Sequence, residues 1–135
     1  MSNSLIMMVN TASTAVLANG IVPLTTITRR RCNAITTANN SIILNRAGYY
    51  KVNASITFTG TEAGEATVSL QKNDVSVVGA TASTTITTAD TEVRTVNISG
   101  IVRVTCGEGF ATLTLVNTGI AITTSNVEID VEYLG

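Results

Sequence analysis

The chain has 135 residues, a formal net charge of -1 at pH 7, only 13% charged residues and no histidine. One domain with one core fits that length; without His the commonest general base, the usual Ser or Cys triads and most transition-metal sites are lost, so neither an enzyme nor a bound cofactor is expected. A charged share about half the usual ~25% leaves a surface of Thr, Ser and Asn that burial against other subunits would protect, which points to an oligomer.

The near-neutral balance gives no electrostatic basis for capturing nucleic acid. No apolar run approaches the roughly 20 residues that span a bilayer, and Met-Ser-Asn-Ser ahead of Leu5 lacks the basic residues that open a secretion signal. The expectation is a chain made in a cytoplasm and not inserted in a membrane.

Thr, Val and Ile are abundant and Pro occurs once, at Pro23, which favours strands over helices. In chain order, Leu5-Ile6-Met7-Met8-Val9 is more continuously apolar than a half-exposed strand requires. It is expected to be a central strand near a subunit interface or a docking element, with Leu5 and Met7 at the contact; an ordinary core strand is the alternative. Val22 to Ile27 is a weaker strand candidate. Arg29, Arg30 and Arg31 are the densest charge in the chain, suited to a phosphate, an acidic glycan or the acidic surface of a supporting protein, or else a solvated turn paired with nearby Glu.

Ser41 to Leu44 is another weak strand. From Tyr50, the residues Val52, Ala54, Ile56 and Phe58 alternate with Lys51, Asn53, Ser55 and Thr57, the period of a strand with one wet side. Gly60 to Gly64 turns the chain. Ala66, Val68 and Leu70 then alternate with Thr67, Ser69 and Gln71, and Lys72-Asn73-Asp74 makes a hairpin turn into Val75 and Val77. Thr84 to Thr88 is a weak strand. Val96, Ile98, Val102 and Val104 share one parity, with Gly100 between them where a bulge or a close backbone approach is expected. Ala111, Leu113 and Leu115 form the next alternation, Asn117 to Gly119 a turn, and Val127, Ile129, Val131 and Tyr133 the last strand. Its opposite face carries Glu128, Asp130 and Glu132, a solvated row whose like charges discourage edge pairing or, in three copies around an axis, an attraction for calcium. Eight to ten short strands at this spacing predict an all-β antiparallel sandwich or barrel, with the jelly roll among the few solutions.

Cys32 and Cys106 each follow the end of an expected strand. Were those strands neighbours, a disulfide would close a loop of about 70 residues and be worth about 3 to 5 kcal/mol; a cytoplasmic origin argues for free thiols instead.

The segment Ala47-Gly48-Tyr49-Tyr50-Lys51-Val52, followed by Val68-Ser69-Leu70-Gln71-Lys72-Asn73 and Val77-Val78-Gly79-Ala80, resembles the jelly roll of tumour necrosis factor and complement globular heads. It is also similar to the BclA-type C-terminal domain of spore-surface glycoproteins and to small phage proteins carrying that domain. The resemblance covers residues 41–135 of a single domain spanning 1–135; residues 1–40 supply N-terminal strands and a docking segment. The family's collagen-like Gly-X-Y stalk has no counterpart here. The resemblance implies a homotrimer with Tyr49 and Tyr50 near the interface. It also implies a non-catalytic decoration or head-fibre-like component on a bacteriophage virion, contacting a capsid or other virion protein and host-surface glycans. The alternative is a carbohydrate- or receptor-binding module on a spore surface or secreted from the cell.

Overall fold

The computed structural model describes residues 4–31 and 34–135. Among them are eleven strands and no helix: β1 Leu5–Asn10, β2 Thr14–Val16, β3 Thr26–Arg31, β4 Ile35–Ala38, β5 Ser41–Leu44, β6 Gly48–Gly60, β7 Gly64–Lys72, β8 Val75–Ile86, β9 Val93–Val104, β10 Ala111–Asn117 and β11 Ile122–Tyr133. The first sheet has the order β3-β1-β11-β6-β9, with β2 also paired to β11; the second has the order β4-β5-β10-β7-β8. Every pairing is antiparallel. The result is an all-β jelly-roll sandwich, one of the solutions the alternation allowed, with eleven strands where eight to ten were expected.

Period-two patterning builds the core directly. On β6 the buried set is Tyr50, Val52, Ala54, Ile56 and Phe58; β9 adds Val96, Ile98, Val102 and Val104, and β11 adds Val127, Ile129 and Val131. From the second sheet Ile42, Leu44, Val68, Leu70, Leu113 and Leu115 meet them. Each such side chain taken fully from water contributes about 1.5 to 3 kcal/mol before chain entropy is set against it.

Several elements differ from the sequence expectation. Thr14–Val16 and Ile35–Ala38 are strands although neither carries an apolar alternation; each is held by a stronger neighbour, β11 and β5. The strand expected at Val22 to Ile27 begins only at Thr26 and runs through all three arginines. Val22 and Leu24 are core residues in the irregular stretch before it, where the Val22 N–H donates to Leu115 O at 2.8 Å. Val75 and Thr84 belong to one long strand: Val77 to Ala80 bulge out opposite Leu70 alone, leaving Val78 wholly exposed. Its hairpin turn has Asn73 at φ 51° and Asp74 at φ 67°, the left-handed pair that matches the twist of a two-residue loop. At Gly100 the β6–β9 register is unbroken, so there is no bulge. A Cβ there would lie 3.5 Å from the Ala80 Cβ, which realises the close-approach alternative.

One buried polar residue organises the end where β10 turns into β11. Asn117 is fully buried; its Nδ2 donates to Val16 O, Leu17 O and Ile120 O at 3.2, 3.3 and 2.8 Å, while its Oδ1 accepts from the Gly119 N–H at 3.0 Å. Its backbone N–H donates to Gly20 O, and its carbonyl accepts from the Asn19 N–H. The side chain thus ties the N-terminal segment to the β10–β11 connection.

Candidate assembly and docking surface

The outer face of the first sheet is read off the pairing register. Rows across it run Arg31, Leu5, Glu132, Lys51, Ile101; then Arg29, Met7, Asp130, Asn53, Ser99; then Thr26, Val9, Glu128, Ser55, Asn97. Two shallow clefts lie on this face. One, of about 250 Å³, has Leu5, Met7 and Val131 in its walls with Arg29, Asp130 and Glu132. The other, of about 400 Å³, is lined by Asn53, Ser55, Asn97 and Ser99 with Glu128 and Asp130. Both strands carry an Asn-x-Ser, and antiparallel pairing sets Asn53 opposite Ser99 and Ser55 opposite Asn97.

The expected contact residues separate on this frame. Leu5 and Met7 are half-buried on the outer face, while Ile6 and Met8 enter the core. Neighbouring residues of a strand point to opposite sides, and Tyr49 and Tyr50 divide accordingly. Tyr49 is 46% exposed, with the Arg103 guanidinium 5.7 Å from its ring centroid. Tyr50 is 0% exposed. The expectation that Tyr50 lies at a subunit contact is therefore corrected: it is a core residue, its ring 5.0 Å from that of Tyr133 and its hydroxyl donating to Arg46 O at 2.6 Å. Burial pushes its phenol above the usual range. Gly48 makes room for this pair. At φ 140°, a Cβ on it would sit 2.7 Å from Tyr133 ring atoms, and the Tyr133 hydroxyl donates to Ala47 O just before it.

Arg29, Arg30 and Arg31 lie on an edge strand rather than in a turn, all exposed, and none pairs with a carboxylate among the described residues. Glu128, Asp130 and Glu132 do share one face, but β11 is central, so they guard no edge. Among the described residues no three potential metal ligands converge. Cys106 is exposed in the β9–β10 loop; Cys32 lies outside the described residues. The premise that β3 and β9 are neighbours fails, since they occupy opposite edges of the sheet.

Residues that sequence reasoning passed over complete the surface. Ile101 is 61% exposed and Leu134 51%, beside Tyr49. Ile101 had a legible signal, an apolar residue at the polar parity of a strand whose core parity is even.

The loop after β9 is fixed by charge. Glu108 accepts from the Thr105 N–H at 2.8 Å and from Lys72 Nζ, whose ammonium also donates to Arg103 O at 2.6 Å. The Thr105 N–H and then Lys72 hold the Glu108 carboxyl at about 2, against an ordinary 4.5. A lowered carboxyl pKa adds stability that is present above pH 4.5 and lost as the pH falls to about 2. Glu108→Gln is accordingly expected to lower the urea midpoint at pH 7, with the deficit shrinking between pH 4.5 and 2; equal midpoints at pH 7 would refute the anchoring role. Thr87 and Thr88 hold Glu92 at about 2 in the same way.

No family model matches the sequence, and no curated protein matches it either. Solved structures do match over almost the whole chain. Murine APRIL superposes with a TM-score of 0.71 at 12% identity, covering 98% of this chain and 99% of that one. The Eiger TNF of S. frugiperda gives 0.72 at 11%, covering 100% and 94%. The globular domain of zebrafish complement 1qA gives 0.69 at 7%, covering 98% and 99%, and PRD1 vertex protein P5 gives 0.60 at 12%, covering 100% and 99%. At such identities the likeness is one of fold: this chain has the jelly-roll sandwich found in tumour necrosis factor-like and complement-type globular domains.

Proposed function

We propose that the protein is a non-catalytic, homotrimeric structural module displayed on a bacteriophage virion. The observation that carries the assembly is the outer face of the first sheet, where Tyr49, Ile101 and Leu134 are exposed at one edge and the Leu5–Met7 cleft opens towards the other. The two apolar patches lie apart on one face and cannot cover each other within a chain. A heterologous contact between copies covers both, and cyclic closure leaves none unsatisfied. The likeness to PRD1 vertex protein P5, a vertex component by its name, supports the virion setting.

In solution the native mass is expected near 42 kDa, three times the 14.0 kDa chain. Met7→Glu and Ile101→Glu, which bury a charge in an apolar contact, should each shift the mass towards the monomer with the circular dichroism unchanged. A monomeric parent protein overturns the trimer; a trimer that survives both substitutions overturns this interface.

The Asn53–Asn97 cleft supports a second reading, a glycan-binding module, because its lining offers planar polar groups in Asn53, Asn97, Glu128 and Asp130. It has no aromatic platform. Silence across a wide glycan array removes this reading.

A further inference from the structure

The charges of this chain are sorted along the strand direction. Every Lys and Arg except Arg94 belongs to the end of the sandwich where β1 begins and β11 finishes: Arg29 to Arg31 on β3, Arg46 before β6, Lys51 on β6, Lys72 closing β7 and Arg103 near the end of β9. Only Asp74, Glu108, Asp130 and Glu132 oppose them there, and Glu108 is already engaged by Lys72. Glu128 sits at mid-sheet opposite Ser55, and the opposite end sets Glu62, Glu65, Asp90 and Glu92 against Arg94 alone, which is itself paired with Glu92. A chain of net charge -1 is thus strongly bipolar.

We propose that the basic end is a docking face for an acidic protein surface and that the acidic end is left pointing away from it. The occupant is identified by charge and by what accompanies it. Phe110, 58% exposed in the loop after β9, lies outside the contact between copies and follows Arg103 at this end. Arg beside an exposed aromatic side chain is the composition of a protein–protein contact. A nucleic acid backbone asks for an unbroken basic track, whereas here Glu132 sits between Arg31 and Lys51. Apart from Lys72, none of these basic groups is paired with a carboxylate among the described residues, so the field is available to a partner. This rests on the reading of the protein as an attached, displayed module and adds to it which end attaches and to what chemistry.

The test uses the whole protein and, as probes, a random copolymer of glutamate and tyrosine, a duplex DNA of equal charge, and vesicles containing phosphatidylglycerol. Binding to the copolymer is expected to be tightest and to weaken at least about tenfold between 50 and 200 mM salt. Replacing Arg29, Arg30 and Arg31 together by Ser should weaken it about tenfold or more, and Arg46→Ser should weaken it further, while Arg94→Ser at the other end should leave it unchanged. Equal or tighter binding to DNA or vesicles overturns the protein partner. Loss in the Arg94→Ser variant as large as in the triple variant overturns the polarity. Light scattering on the same samples keeps the two proposals apart: a trimer that fails to distinguish the probes sinks this inference alone, and a monomer sinks the trimer alone.

Discussion

Gly119→Ala is expected to cost about 3 kcal/mol, because it forces a side chain into a backbone contact that cannot yield. A Cβ at this position would stand 2.5 Å from Glu65 O and 2.6 Å from Thr67 N, both of them main-chain atoms of β7. Flexible side chains move aside from such an intrusion; a paired strand does not. The neighbouring Thr118 and Ile120 N–H groups donate to Thr67 O and Glu65 O, so the loop is laid along β7 on both sides of the glycine and has nowhere to retreat. Asn117→Leu tests the same junction from the polar side. It keeps the branched shape and heavy-atom count but leaves Val16 O, Leu17 O and Ile120 O without their donor and the Gly119 N–H without its acceptor, an expected loss of about 2 to 4 kcal/mol. Urea unfolding reads both, and a change under about 0.5 kcal/mol in either would refute its mechanism. The two losses should not add, since both release the same loop.

This junction also marks where sequence reading ran out. Asn117 to Gly119 reads as a turn from composition alone, and it is one; what composition cannot say is that a buried amide there holds a segment about a hundred residues away. The strands were legible because their information is local. Val52 to Phe58, Ala66 to Leu70 and Val127 to Tyr133 each repeat an apolar residue every second position, and the sheet needs nothing more to decide which side is wet. Thr14–Val16 and Ile35–Ala38 carry no such repeat, because they are strands by virtue of their partners. The same limit governs the surface. Leu5 and Met7 are outward by parity, but whether they face solvent or a neighbour depends on what lies two strands away, and the polarity of charge along the sandwich appears only once the strands are laid side by side. Arg29 to Arg31 look like one basic cluster in the sequence; folding sets them in a half of the molecule that also gathers Arg46, Lys51, Lys72 and Arg103.

Tyr50 is where parity and resemblance disagreed, and its substitution separates the two. Resemblance sets the adjacent tyrosines together near a subunit contact, whereas alternation with Val52 and Ala54 turns Tyr50 inward and Tyr49 outward. Tyr50 is completely buried, packed on Tyr133, with its hydroxyl donating to Arg46 O at 2.6 Å and accepting from the Arg46 N–H at 3.2 Å. Tyr50→Ala removes an entire buried ring and is expected to cost about 3 to 5 kcal/mol, enough to unfold a domain of ordinary stability in part of its population. Tyr50→Phe retains the ring and strips only the hydroxyl, leaving both main-chain groups of Arg46 unpartnered, for about 1 to 2 kcal/mol. Tyr49→Ala should do little to unfolding measured within the monomer but weaken association, since its ring is nearly half exposed. Unfolding midpoints and native mass, recorded together on the three variants, give opposite patterns for a core residue and a contact residue. A Tyr50→Phe protein of parental stability and reduced mass would move Tyr50 back to the interface and break the assignment made from its burial.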